Sequence, residues 1–465
     1  MARLNVPKPT IYTHEGAPAK QINPELQLRR SVMACLLWEK TFYEDGQDIA
    51  QRIAETIPKV KPQVVANIAV EAREKMKLRH VPLLIAREMA RIESHKHLTA
   101  DVLGRIIQRP DELTEFLAIY WKDGKQPLSA RVKKGLATAF QKFDEYQLAK
   151  YDRGDTIKLR DVLFLCHGKP KNGVVGYTKE ARRKGIPLPG GDGHLMFKKL
   201  VDGKLDVPDT WEVALSSGGD KKEHWERLLK ENRLGALALL RNLRNMEQAK
   251  VDEHLIFSAL ETINVSRVLP FRFIAAARAV PQWEDRIEPA MMKALAGREK
   301  MTGKTILLVD RSGSMSAMLS AKSDMSRFDA GCALAILLRE VCEHIMMFAF
   351  NHEIQLIPPR HGFALRDAFE MPYNGTYLGL AIADLNNSYE YDRLIVITDE
   401  QSHDKVPDPK GKGYMINVAS YQNGVGYGAW THIDGWSEAV IDYINTVEQF
   451  SSCRPPEQTP GAFLF

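Results

Sequence analysis

A change of periodicity near residue 300 constrains this chain more than any other feature. From Ile22 to about Gly297 apolar residues recur at three- and four-residue spacing. "QVVANIAVEAREKM" (63–76), "VPLLIAREMARIE" (81–93), "LTEFLAIYW" (113–121) and "NRLGALALLRNLRNM" (232–246) all show it. That spacing predicts amphipathic helices. Many short helices joined by short loops fit a stacked, HEAT-like helical repeat better than one bundle, although no sharp sequence period is visible. After "AGREKMTGK" the pattern changes to short apolar runs: "TILLVD" (305–310), "HIMMFAF" (344–350), "RLIVITD" (393–399) and "GYMINVAS" (413–420). Buried parallel strands read this way. Amphipathic segments at 327–341, 377–388 and 436–448 alternate with them. The expectation is a helical domain over 1–300, a doubly wound α/β domain over 301–450, and a tail over 451–465. In such a sheet, ligands sit beyond the carboxyl ends of the strands.

Charge divides at the same place. Residues 1–300 carry 52 Lys and Arg against 39 Asp and Glu; residues 301–465 carry 12 against 20. A basic first part joined to an acidic second part points to a polyanion partner for the first alone. Within it, residues 131–184 hold fourteen Lys and Arg and six acidic residues. Such a run can neutralise phosphates and release counterions. Tyr151, Tyr177 and His167 supply rings on which bases could stack. No apolar run is long enough to span a bilayer, and the first twenty residues lack the apolar core of a signal peptide, so a cytoplasmic location is expected. Five scattered cysteines without a CxxC pair signal neither a zinc module nor a disulfide framework.

Two stretches near the boundary invite chemical readings. "GKT" (303–305) resembles part of a phosphate-binding loop. It lacks the earlier glycine, since position 298 is Arg, and it precedes a strand instead of following one. "DRSGS" (310–314) is different. It places Asp310, Ser312 and Ser314 where a strand ends. Oxygen donors without sulfur or imidazole select a hard cation, Mg²⁺ foremost, with Mn²⁺ and Ca²⁺ also compatible. Thr376, before a predicted helix, and Asp399, ending a predicted strand, fall on the same edge of the sheet. Capping of the next helix by the same Ser and Asp residues is the plainer alternative. No histidine or cysteine in these motifs could serve as base or nucleophile. His403 nearby reads as a solvated loop residue.

These residues resemble the metal-ion-dependent adhesion site of a von Willebrand factor A domain. Asp310, Ser312 and Ser314 match the D-x-S-x-S motif, Thr376 the distal threonine and Asp399 the distal aspartate, with Tyr377 where many relatives have Asp. The resemblance implies a divalent metal with an open position for a partner's carboxylate. In the helical half, "KLRDVLFLCHGKPK" (158–171), "WEVALSSGGDKKEHWERLL" (211–229), "LGALALLRNLRNM" (234–246) and "LPFRFIAAARAV" (269–280) resemble the TROVE module. Their order, followed by the adhesion-type domain, resembles the Ro autoantigen family and its bacterial orthologues over nearly the whole chain. The resemblance implies a ring of helical repeats that binds small noncoding Y RNAs on a basic outer face. It also implies capture of single-stranded ends of misfolded structured RNAs in the central hole. Lys150, Arg153 and His167 match the family's RNA contacts, with the Lys-to-Arg spacing one residue short. Arg131 and Lys134 join them as basic candidates, and Arg241 and Arg244 could line an inner face, although the leucine spacing around them reads as core. Implied partners are small noncoding and structured or misfolded RNA, with an exoribonuclease or other protein joined through RNA or the metal; the chain is expected to be a monomer.

Three functions compete on this reading: a non-enzymatic RNA-binding protein in RNA quality control or maturation, a metal-dependent adhesion or scaffold factor whose basic face is incidental, and a metal hydrolase. The last is disfavoured because no second acidic cluster offers two-metal chemistry.

Overall fold

In a computed structural model the structure describes residues 11–13, 16–19, 23–34, 46–74, 78–152, 156–169, 192–206, 210–216, 219–266, 268, 270–298, 300–319, 324–372, 375–419, 424–426, 428–434, 440–441, 444 and 448. It divides into two compact units. One comprises residues 23–39 and 45–224; the other comprises residues 1–22, 40–44 and 225–465. The division falls at 224/225 and not at the change of periodicity. Two helices after Trp225 pack on helices of the sheet-bearing unit: Pro270–Ala279 lies on Arg327–Val341, and Glu284–Leu295 on Gly362–Ala368.

The first unit is helical. Pro62–Glu74 packs on His80–Arg91 and on Thr99–Ile106; His80–Arg91 packs on Asp111–Tyr120; Thr99–Ile106 packs on Ala130–Phe140, which in turn packs on Leu159–Cys166. Each helix thus touches the one two places ahead, as stacked helix pairs do. The apolar stripes read from the sequence become one core, with Val65, Ile85, Leu103, Phe116, Leu136 and Phe140 fully buried. Gly135 sets one of these approaches: a Cβ there would lie 2.7 Å from Leu103 Cβ, so only glycine lets Ala130–Phe140 come this close to its neighbour. Ser129 caps that helix, its Oγ accepting from Val132 N at 3.3 Å, a contact of the kind that contributes about 1 kcal/mol.

The second unit contains a two-stranded antiparallel hairpin, β1 (Ile11–Tyr12) and β2 (Pro18–Ala19), and a six-stranded sheet. The sheet strands are β3 (Met301–Asp310), β4 (Cys342–Phe350), β5 (Ile354–Ile357), β6 (Arg393–Thr398), β7 (Lys412–Asn417) and β8 (Trp430–Asp434). Their order is β5-β4-β3-β6-β7-β8, all parallel except the β4–β5 hairpin. Both faces are covered. Ile306, Leu308, Phe348, Leu394 and Val396 face the Leu378–Ser388 helix through Leu378, Ile382 and Leu385. Val309 and Ile397, on the opposite face, lie against Gly331 of the Arg327–Val341 helix. This is the doubly wound arrangement expected of the apolar runs.

The "GKT" stretch lies inside β3. Gly303, at φ +84°, sits at a register shift between Met301 and Lys304, and Lys304 N donates to Asp392 Oδ2 at 2.6 Å. Most of the 436–448 segment and all of the 451–465 tail lie outside the described residues.

Candidate metal centre and basic surface

The strand registry places the donor set. β3 and β6 are neighbours in parallel register, with Val309 opposite Ile397, so Asp310 and the Thr398-Asp399 pair leave the sheet side by side. Asp310 and Asp399 are fully buried, Ser312 and Thr376 nearly so. Ser312 N donates to Asp310 Oδ1 at 2.7 Å, and the Ser312 and Ser314 hydroxyls lie 3.1 Å apart. Thr398 Oγ1 donates to Asp310 Oδ2. Gln401 N donates to Asp399 Oδ1 at 3.4 Å. Thr376 stands on the adjoining loop, where His403 N and Ser402 Oγ donate to its carbonyl at 2.9 and 3.5 Å. Asp310, Ser312, Ser314 and Asp399 are therefore linked by bonds and charge. Thr376 is tied by its backbone to residues 402–403, which follow Asp399 in the chain.

The electrostatics are those of a site short of positive charge. Burial, and then the charge of Asp399, push Asp310 up to about 7. Two buried carboxylates facing each other disfavour their ionised forms unless a cation stands with them. One does: Arg327 Nη1 lies 3.3 Å from Asp399 Oδ2 and donates to Ser314 O at 3.4 Å. Among the described residues no group of three or more His, Cys, Asp or Glu side chains gathers as a metal site, and this set brings only two carboxylates, Asp310 and Asp399. An oxygen-only set of two carboxylates and three hydroxyls fits a hard divalent cation. Helix capping, the plainer alternative, is carried out by other residues: Ser326 and Asp329 form the capping box of the Arg327–Val341 helix.

Sequence reasoning missed two neighbours and misread a third. Arg327 and Thr398 carry no motif; only the register of β6 and the start of the next helix place them. His403 is exposed but not merely solvated: its Nδ1 lies 3.0 Å from Thr376 O, and its ring stacks on Tyr377 at 5.4 Å. The N-terminal hairpin also reaches this region, Thr13 Oγ1 donating to Ser402 O at 2.9 Å.

The basic candidates lie in the helical unit. Arg131 and Lys134 are exposed on Ala130–Phe140 and, among the described residues, have no carboxylate within ion-pair distance. His167 is exposed and ends Leu159–Cys166 in the left-handed conformation, φ 54°. Its N–H bonds to Phe164 O at 3.4 Å, and Gly168 N closes the helix on Leu163 O at 3.2 Å. Phe164, one turn earlier, is 58% exposed. Lys150 is less open: it lies 3.9 Å from Glu212 and 5.8 Å from the centre of the Tyr151 ring. Tyr151 is also covered by Arg109, at 4.8 Å, so it is no free stacking platform. Arg153 and Tyr177 lie outside the described residues. In the second unit Arg241 and Arg244 are exposed while Leu239, Leu240 and Leu243 are buried, so the leucine stripe there is core as read.

Comparison with known proteins adds three findings. Residues 201–323 match the TROVE domain family. This span takes in three of the four TROVE-like segments, runs past residue 300 to include Asp310, Ser312 and Ser314, and leaves out Lys150 and His167. Telomerase protein component 1 of Rattus norvegicus is 22% identical over 340 residues, 56% of this chain and 13% of that one. The same protein of Mus musculus is 22% identical over 322 residues, 52% of this chain and 12% of that one. The chain thus spans only a small fraction of these relatives. The crystal structure of the Deinococcus radiodurans RO (RSR) protein superposes with a TM-score of 0.57 at 17% identity, covering 91% of this chain and 99% of that one. At that identity the likeness is one of fold.

Proposed function

We propose, for a chain that carries a TROVE domain and has the fold of a Ro protein, that it is a non-enzymatic RNA-binding protein acting in the cytoplasm in RNA quality control or maturation. Its RNAs are small noncoding Y-like RNAs, held on the basic surface of the helical unit, and the single-stranded ends of structured or misfolded RNA. The observation that carries this reading is the exposed Arg131 and Lys134 on one helix, with exposed His167 and Phe164 on the helix packed against it. Exposed cations can neutralise phosphates, and exposed rings can stack unpaired bases. The test is to sequence RNA that copurifies with the protein, and to titrate such RNA against wild type and a variant with Lys150, Arg153 and His167 all changed to Ala. Unchanged affinity in the variant would remove these residues from the interface.

The metal belongs to the same proposal. Asp310, Ser312, Ser314, Thr376 and Asp399 would hold Mg²⁺, and the bound ion would offer an open position to a carboxylate of a protein partner, such as an exoribonuclease. The second reading, a metal-dependent adhesion or scaffold factor, draws on the burial of Asp310, Ser312, Thr376 and Asp399, with Ser314 half-buried. It predicts that the triple variant still binds its protein partner and that no specific RNA copurifies.

A further inference from the structure

The donor set contains a positive charge of its own. The Arg327 side chain is 4% exposed and Asp399 is fully buried, with 3.3 Å between Nη1 and Oδ2. The same nitrogen donates to Ser314 O at 3.4 Å. One guanidinium therefore joins the loop after β3 to the end of β6, the two segments that supply most of the oxygens. Its backbone position is fixed: Arg327 is the first residue of the Arg327–Val341 helix, its N–H donates to Ala317 O at 2.9 Å, and the Ser326–Asp329 capping box holds the turn. Arg278 adds an outer restraint through Asp329, at 2.6 Å.

We propose that Arg327 is a resident counter-cation of this site, which holds the donor oxygens together before metal binds and competes with the metal for Asp399. The inference rests on the metal reading above. With both carboxylates ionised, Asp310, Asp399 and Arg327 sum to a single negative charge. Without the guanidinium the same oxygens carry two, which a divalent ion neutralises completely. In a buried site an extra unit charge at contact distance is strongly felt. Arg327 therefore weakens divalent binding while stabilising the metal-free protein. Each cation substitutes for the other.

The experiment compares wild type, R327Q, R327K and D310A as full-length chains, with Mn²⁺ titrated by calorimetry and thermal melting followed in EDTA and in saturating Mn²⁺. R327Q keeps a hydrogen-bond donor but loses the charge; R327K keeps the charge. R327Q is expected to bind Mn²⁺ about tenfold more tightly than wild type or better. R327K should stay within a few-fold of wild type, and D310A should bind weakly or not at all. In EDTA R327Q should melt below wild type, and Mn²⁺ should close that gap. Wild-type binding with equal or weaker binding by R327Q overturns the role of Arg327 and leaves the metal reading standing. Binding by R327Q alone supports the competition; binding by neither protein overturns both readings. A melting gap that saturating Mn²⁺ leaves unchanged marks Arg327 as an ordinary structural residue and overturns the proposal. Should R327Q not fold without metal, refolding in Mn²⁺ against EDTA decides: recovery with Mn²⁺ alone supports the exchange of cations, and no recovery in either overturns it.

Discussion

The oxygens at the ends of β3 and β6 and the cations of the 130–169 helices belong to two different kinds of surface. The first are buried, hydrogen-bonded to one another and held by strand register, so their geometry exists before any ligand arrives. Arg131, Lys134 and His167 are exposed and keep most of their rotamer freedom. A preorganised buried site is sensitive to the loss of a single group, because the remaining groups stay desolvated and unpaired. A flexible charged surface spreads its energy over many weak contacts, each replaceable by its neighbours. Single substitutions should therefore act strongly on the metal and weakly on RNA.

Asp310→Ala should produce the largest change. It removes a fully buried carboxylate from a donor set that otherwise relies on hydroxyls and Asp399. Divalent affinity should fall on the order of 100-fold or more, given how steeply affinity follows ligand charge. RNA affinity should stay within about twofold, because the charged surface is spread over other residues. Mn²⁺ calorimetry and RNA titration on the same preparation check this. Parallel loss of both affinities in a folded variant would mean the two surfaces act as one.

RNA should respond to salt much as the metal site responds to Asp310→Ala. If the surface neutralises about four phosphates, affinity for duplex RNA should drop on the order of 100-fold between 50 and 200 mM salt, taking the duplex-DNA slope. Metal affinity, resting on buried groups, should move far less over the same range. A flat RNA response would dissolve the electrostatic half of the contrast.

The third effect is the pH dependence of metal binding. Burial and the charge of Asp399 hold the Asp310 carboxyl up at about 7. A raised carboxyl binds its proton more tightly in the folded than in the unfolded chain. Metal-free stability from this group therefore falls as pH rises from its unfolded value near 4 to about 7. Metal takes the ionised form, so Mg²⁺ should restore stability at pH 8 and lose affinity roughly tenfold per pH unit below about 7. A melting temperature of the metal-free protein that does not change between pH 5 and 8 would indicate that Arg327 already compensates the pair in full.

The two surfaces also differed in how far sequence revealed them. The inner strands β3, β6 and β7 and the second half of β4 announce themselves as apolar runs because both of their faces are buried. β5 and β8 do not. β5 is an edge strand with Gln355 and Leu356 exposed, and β8 reads "WTHID", a polar alternation too short to distinguish from a loop. The D-x-S-x-S spacing pointed to Asp310, Ser312 and Ser314 because those residues are adjacent in sequence. Arg327 escaped notice because only tertiary packing brings it to Asp399, seventy-two positions away. The basic run at 131–184 was legible as charge, but charge says nothing about which side chains are engaged. Lys150 and Tyr151 turned out to be in contact with Glu212 and Arg109. Phe164 carries no signal in the sequence that sets it apart from the buried Leu163 beside it, and it is open to solvent.

The smallest and most discriminating effect concerns His167. Its φ of 54° lies in the left-handed region, which costs a side-chain-bearing residue roughly 1 kcal/mol and costs glycine nothing. Most helices that end this way place glycine there. A histidine held at such a position suggests that its ring has work outside the fold, and substitution can separate the two roles. His167→Gly should leave stability unchanged or slightly raised, since it relieves the backbone while removing an exposed ring. If the ring stacks an unpaired base, the same change should weaken binding of a structured RNA with a single-stranded 3′ tail by about five- to tenfold, the lower end of base–aromatic stacking. Binding of the blunt-ended version should hardly change, because a duplex is held by phosphates and 2′-hydroxyls. A competition titration of tailed against blunt RNA on wild type and variant, paired with thermal melting, reads both quantities. Equal affinity of the wild type for the two RNAs would rule out end capture. A variant of unaltered RNA binding and raised stability would return His167 to the status of a poorly chosen helix cap, and Phe164, one turn away, would become the ring to test.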